Sequence, residues 1–230
     1  MQPYFLPYIG YFQLINAVDT FVVYDNIKYT KKGWINRNRI LANNQDEYIT
    51  LPLKKDSDFL NIDQRILADS FDEDKDKMLR KIASFYKKAP CFNAAYNLIE
   101  EIMNTPERNL FHFNYHSLVK TCSYLNIDTK FIVTSSLPVN HDLKSQDRVL
   151  ELCKYLKANV YVNPIGGKTM GLYDADVFNE NGVKLQFLRS DNIEYPQFDE
   201  PFVPWLSILD VMMFNDVEQI NRMLTLYTFV

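Results

Sequence analysis

Thr20-Phe-Val-Val-Tyr-Asp-Asn-Ile-Lys-Tyr-Thr-Lys-Lys-Gly-Trp-Ile-Asn-Arg-Asn-Arg39 joins a buried-strand run to a basic, aromatic and amide-rich segment. Thr20 to Tyr24 reads as a strand that stops at Asp25, and a carboxylate just past the carboxyl end of a strand is where α/β sheets place ligand contacts. From Asp25 to Arg39 there are five basic side chains, one carboxylate, one indole and three asparagine amides, in a chain of formal net charge −4. Arg offers a planar fork of donors for carboxylate or phosphate, Lys a compact charge, and Asn both donor and acceptor. Such a set describes a receptor for a small polar anion. With Trp34 to Leu41 as a strand, the period of two puts Trp34, Asn36 and Asn38 on one face and Ile35, Arg37 and Arg39 on the other. The plainer alternative is an edge strand charged against aggregation, for which an indole and amides are poor choices.

Upstream, Pro3 and Pro7 forbid helix, Ile9 to Val18 reads as a short helix, and the strand ending at Asp25 follows. A βαβ unit needs a strand before that helix, so a first strand upstream of Met1 is expected. Downstream, Trp34–Leu41 and Tyr48–Leu53 flank the polar turn Asn43-Asn44-Gln45-Asp46 as a β-hairpin. Ser70-Phe71-Asp72-Glu73 reads as a capping box for a helix to about Lys88, Phe92 to Met103 as a second helix, and Thr105-Pro106 as the start of a third running to Leu125. Lys130–Ser135, a helix capped by Ser145, and Asn159–Asn163 make a βαβ unit. A short helix, a strand over Val183–Leu188, an irregular stretch through Gln197 and helices over Trp205–Phe214 and Asp216–Tyr227 complete the reading. The expected fold is α/β and Rossmann-like, with a mostly parallel sheet, a β-hairpin and an inserted helical lobe. One domain takes its core from 1–65 and 128–230 and its lobe from 66–127.

The chain has 230 residues and is 47% hydrophobic, enough for a large core. Its pI near 5.4 argues against a nucleic-acid duplex as partner. No apolar run approaches the roughly 20 residues that span a bilayer. Cys91, Cys122 and Cys153 have neither metal-site nor disulfide spacing, which fits a cytoplasmic protein. His112 and His116 lie four apart on a helix but lack a third ligand, so no metal is expected. Gly166-Gly167-Lys168-Thr169 follows a strand, but Val162 stands where a Walker loop needs glycine. The pair of glycines reads equally as an anion-binding turn or a plain strand-to-helix turn.

Gln2-Pro-Tyr-Phe-Leu-Pro-Tyr-Ile-Gly-Tyr-Phe12, Tyr24-Asp25, Lys32-Gly-Trp-Ile-Asn-Arg-Asn-Arg39, Tyr86-Lys-Lys-Ala-Pro90, Ile165-Gly-Gly-Lys168, Tyr195-Pro-Gln197 and Leu206-Ser-Ile-Leu-Asp210 resemble the WbqC-like family of bacterial proteins, in order and across nearly the whole chain. The family's first strand commonly ends in His-Gln-Pro, and Met1 holds the histidine position here. The resemblance implies a part in O-antigen and related surface-polysaccharide assembly, with glycine transfer to the amino group of a nucleotide-linked amino sugar as the expected reaction. Asp25 and Lys32 are then the candidate catalytic groups, with Asp25 taking the amine proton. Lys28, Arg37, Arg39 and Lys168 would hold the anion, Trp34 would stack, and Asn36 and Asn38 would read hydroxyls. Gln2, Tyr4, Gly166, Gly167, Tyr195, Gln197 and Asp210 complete the binding set. The sequence names no cofactor. Two alternatives stay open: an adenylate-forming ligase of nucleotidyl-transferase-like fold, and a non-catalytic sugar-nucleotide binding or assembly protein.

Overall fold

The computed structural model describes residues 1–199 and 201–230. Its elements run α1 (Ile9–Asn16), β1 (Thr20–Val23), β2 (Arg37–Ala42), β3 (Gln45–Thr50), α2 (Phe71–Tyr86), α3 (Phe92–Met103), α4 (Leu110–Tyr124), β4 (Lys130–Val133), α5 (Ser145–Leu156), β5 (Val160–Pro164), α6 (Ile165–Thr169), α7 (Ala175–Glu180), β6 (Lys184–Ser190), α8 (Ile208–Phe214), α9 (Val217–Met223) and β7 (Tyr227–Phe229). The fold is mixed α/β. In place of one mostly parallel sheet there are three small ones: β1 with β4, β2 with β3, and β5–β6–β7. Two pairings are parallel, β1 with β4 and β5 with β6, and the other two are antiparallel.

Local chemistry accounts for most element boundaries. Asn43 and Asn44 both take positive φ (50° and 61°), the geometry of a two-residue hairpin turn, so β3 starts at Gln45 rather than Tyr48. Asn109, not Thr105-Pro106, caps α4 by accepting from the amides of Phe111 and His112. The Ser70 hydroxyl donates to Asp74 instead of closing a capping box. Helix α5 takes Lys144 as its N-cap, without a side-chain cap, and Ser145 is its first residue. At the carboxyl end, the Asp216–Gln219 capping box starts α9, but the helix stops at Met223. Tyr227–Phe229 then pairs with β6 as a strand, so Tyr227, expected as the last residue of a helix, is extended.

The main core gathers α1, the hairpin, α2–α4, α8 and the inner faces of β1 and β6, and a smaller cluster forms around Val149, Cys153, Phe178 and Val183. Among the described residues no helix is long and apolar enough to cross a membrane. A buried polar knot ties the hairpin to α8. The Tyr86 hydroxyl accepts from the Leu41 amide (2.6 Å) and donates to Asp210 Oδ2 (2.7 Å). Tyr195 and Gln197 donate to Asp210 Oδ1 at 2.7 and 2.9 Å. Burial raises the Asp210 carboxyl above its ordinary range even against these three donors.

A second clasp closes the β1–β4 pair. Asp25, 5% exposed, accepts on Oδ1 from the Thr134 hydroxyl (2.7 Å) and the Ser135 amide (3.1 Å). Burial alone would raise this carboxyl, but the donors of Ser135 and Thr134 outweigh it and hold the group below its usual value.

Asp210→Ala strands two buried phenols and should cost on the order of 3 kcal/mol, read as a lower urea midpoint, with Asp210→Asn losing less. Asp25 works with the opposite sign of pH dependence. Because its folded pKa lies below its unfolded value near 3.9, its contribution is present above about pH 4 and lost as pH falls through the folded pKa. Asp25→Asn should therefore lower the urea midpoint at pH 7, and its deficit against wild type should shrink on acidification below pH 4.

Candidate functional site

A cleft of about 580 Å³ opens at the carboxyl ends of β1 and β5. One wall is the N-terminal loop and the first turn of α1, presenting Gln2, Tyr4, Tyr8 and Gly10. A Cβ on Gly10 would overlap the outer edge of the Tyr8 ring, so any side chain there would force that ring to move. The Tyr11 hydroxyl donates to the Gln2 carbonyl (2.7 Å), and the Tyr4 and Tyr11 rings lie 5.6 Å apart. The opposite wall is Asn163, Pro164, Gly166 and Gly167. Asn163 Nδ2 donates to the Tyr161 hydroxyl (2.8 Å), which meets the Tyr173 hydroxyl at 3.2 Å. A Cβ on Gly167 would collide with Asn163 Oδ1, so that glycine answers a packing demand, whereas a Cβ on Gly166 would meet nothing closer than 4.0 Å.

The remaining wall is the start of α5, with Lys144 and Arg148. Arg148 lies over the Tyr24 ring (4.8 Å) and donates through one terminal nitrogen to Asn26 Oδ1, while its buried Nε has no protein partner. Asn26 Nδ2 meets His141 Nδ1 (3.2 Å), and His141 Nε2 meets the Leu137 carbonyl (3.0 Å). An amide NH₂ and a carbonyl on opposite sides select the Nε2–H tautomer. Burial pushes the Tyr24 phenol up to about 12, with Arg148 pulling against it. Two cations and no carboxylate stand among the cleft's described lining residues. Its electrostatics favour an anion, and its tyrosine rings offer flat faces to a sugar or base.

A second hollow of about 200 Å³ is bounded by Trp34, Asn38, Arg39 and Trp205 and shares Tyr4 and Tyr8 with the main cleft. The two spaces are neighbours across those tyrosines. The expected face of Trp34, Asn36 and Asn38 does not form, since β2 begins only at Arg37. Trp34 instead joins the arginine side: Arg39 lies over its ring (5.6 Å), and Trp34 stacks on Tyr48 (6.3 Å), over which Arg37 lies (4.6 Å). Asn36 turns inward, accepting from the Tyr29 hydroxyl (2.8 Å) and donating to the Leu51 carbonyl (2.9 Å). Asn38 donates to the carbonyls of Phe5 and Leu6 at 3.0 and 2.8 Å.

Of the other residues singled out from sequence, Gln2, Tyr4, Gly166 and Gly167 line the main cleft. Asp25 sits one residue past Tyr24, inside its clasp. Lys28 reaches over Phe59 (5.3 Å), Lys168 over Phe187 (5.9 Å), and Lys32 occupies an exposed turn with φ 61°. Tyr195, Gln197 and Asp210 are engaged in the buried knot. Sequence reading missed Arg148, Lys144, Tyr8, Tyr24, Asn163 and Tyr173. One signal was available: Lys144 and Arg148 are four apart at the first turn of a helix that follows a strand, which places both on one face at the strand's carboxyl end. Among the described residues no group of three or more His, Cys, Asp or Glu side chains is placed to hold a metal.

No solved structure matches this chain significantly. An uncharacterized protein of Mycobacterium tuberculosis is 31% identical over 217 residues, covering 94% of this chain and 91% of its own. The model of the WbqC-like protein family matches residues 2–222. With the match running from the cleft's first wall into the last helix, the chain belongs to the WbqC-like protein family.

Proposed function

We propose that this protein is a transferase of bacterial O-antigen or related surface-polysaccharide assembly, which acylates the amino group of a nucleotide-linked amino sugar with activated glycine. The observation that carries the reading is the main cleft: it has the volume of a small-molecule site, two cations, no described carboxylate and an unpartnered Arg148 Nε. Arg148 and Lys144 hold the diphosphate, the Tyr4, Tyr8 and Tyr24 rings lie against sugar and base, and the smaller hollow beside Trp34 and Arg39 receives the acyl donor. The sugar amine attacks the acyl carbonyl carbon of a thioester-like donor, the carbonyl–sulfur bond breaks with its electron pair going to sulfur, and the amine proton ends on the departing thiolate. A covalent detour through cysteine is disfavoured, because burial pushes the thiols of Cys122 and Cys153 up to about 12 and about 11. The two parallel pairs are read, as part of the same proposal, as halves of a Rossmann-like sheet.

One observation favours a second reading, a sugar-nucleotide binding protein without turnover: neither an imidazole nor a carboxylate lines the cleft among its described residues. The two readings part in one experiment. Incubation with nucleotide-linked amino sugars and a glycyl thioester should give a glycylated product by mass spectrometry. Tight calorimetric binding with no product from any pair would leave the binding reading, and neither binding nor product would remove both.

Arg148→Ala should weaken binding of a nucleoside diphosphate sugar roughly 10- to 100-fold, the worth of hydrogen bonds to a charged group, with Arg148→Lys in between because it keeps charge but loses the fork. Calorimetry measures this, and an unchanged circular dichroism spectrum shows that the fold has survived the loss of the Asn26 and Tyr24 contacts.

A further inference from the structure

Trp205 is held against its own preferences. Its backbone takes φ 60°, the left-handed region that a bulky side chain seldom enters, and its side chain is not hidden: the residue is 61% exposed. Two bonds from one residue of β2 fix it there. Arg39 donates through a terminal nitrogen to the Trp205 carbonyl (3.1 Å), and the Ser207 amide donates to the Arg39 carbonyl (2.9 Å). The Tyr8 and Trp205 rings meet edge to face at 5.9 Å. Core packing does not account for a strained backbone that leaves an indole in the open, and strain of this kind gathers at ligand clamps.

The space that Trp205 borders is the smaller hollow of about 200 Å³. Its other walls are Tyr4, Pro7, Tyr8, Trp34, Asn38 and Arg39, so four of the seven residues are aromatic. The amide among them is already committed. Asn38 Nδ2 donates to the Phe5 and Leu6 carbonyls, and its Oδ1 accepts from the Arg39 backbone amide (2.8 Å). No carboxylate lines the hollow among its described residues. A pyranose ring, which asks for amide and carboxylate partners around its hydroxyls, is poorly served by these walls. Arg39 repels a quaternary ammonium. A flat heteroaromatic ring asks chiefly for stacking surface, because every nucleobase has a π-face.

The charge outside the hollow has the sign that a nucleotide needs. Trp34 stacks on Tyr48, and Arg37 lies over that tyrosine at 4.6 Å. Arg37 donates to the carbonyls of Gly33 and Lys32 and pairs with no carboxylate among the described residues. One uncompensated guanidinium therefore stands a single stacked ring away from the hollow, with Lys32 in the turn that it braces.

We propose that the smaller hollow is a stacking site for a nucleobase, and that this base belongs to a nucleotide-bearing thiol which carries the acyl group, with its phosphates towards Arg37 and Lys32. The site rests on the geometry around Trp205, and its assignment to the acyl donor rests on the transferase reading above. Tyr4 and Tyr8 are shared by both spaces, so the thioester arm passes over them into the main cleft. Transfer leaves the free nucleotide thiol as second product.

Coenzyme A, pantetheine and uridine diphosphate, titrated separately by calorimetry, test the site. Coenzyme A should bind about 10-fold or more tightly than pantetheine, which has the thiol arm but neither base nor phosphates. Its adenine protons should show nuclear Overhauser contacts to indole protons. Trp205→Ala should weaken coenzyme A binding roughly 5- to 100-fold, the worth of one stacked base, and Trp205→Phe, which keeps a flat ring, should lose less. Equal affinity for coenzyme A and pantetheine, or a Trp205→Ala variant that binds coenzyme A as the wild type does, overturns the site. Indole contacts from uracil protons in place of adenine protons give the hollow to the sugar nucleotide and overturn the assignment to the donor. Turnover separates this inference from the reading beneath it. Equal kcat/KM with glycyl-coenzyme A and glycyl-pantetheine keeps the transferase and removes the base site, whereas adenine–indole contacts with no product from either donor keep the base site and remove the transferase.

Discussion

Residues Gln2 to Pro7 run through the protein interior with no secondary structure of their own, and their carbonyls have to be answered by side chains. Asn114 Nδ2 donates to Pro3 (3.1 Å), Asn38 Nδ2 to Phe5 and Leu6, and the Ser207 hydroxyl to Leu6 (2.7 Å). The backbone completes the set: Ile208 N–H donates to Pro7 (2.9 Å), and the Phe5 amide donates to Trp34 (3.1 Å). Leu6 has φ 42°, a left-handed conformation that a leucine holds only where its surroundings fix it. A buried irregular segment is tolerable only where its polar backbone groups find such partners. The hairpin, α4 and α8 therefore converge on this loop, and through it they set Tyr4 and Tyr8 as the partition between the two hollows.

This constraint explains what could be read from the residues and what could not. Two asparagines of the Asp25–Arg39 segment, Asn36 and Asn38, are buried. An amide aimed at a ligand and one aimed at a backbone carbonyl look alike in sequence, because both need donor and acceptor at one point. Asn36 and Asn38 donate to backbone carbonyls, and the cleft lies one step away, on Gln2 and Tyr4 of the loop that Asn38 restrains. Likewise Asp210 reads as a candidate ligand group, but what distinguishes it is its two tyrosine donors, which come from residues 124 and 15 positions away.

The regular elements were more legible, because hydrophobic period and turn chemistry are local. α1, α3, the strands around β1, β4 and β5, and the Asn43-Asn44 hairpin all follow from short-range pattern. β7 does not. Its three residues extend only because β6 offers them an edge, and a short aromatic run after a helix carries no mark of that. The pairing of Lys144 with Arg148 was visible as spacing, but its meaning depended on Tyr24 and Asn26, which reach it across more than a hundred residues of chain.

Trp34 and Trp205 are the chain's only two tryptophans, and both border the smaller hollow. Indole emission responds to local polarity and to nearby cations, and Arg39 lies over one of the rings. The protein thus carries all of its indole fluorescence at one spot, so its tryptophan emission is a native optical gauge of what enters that space.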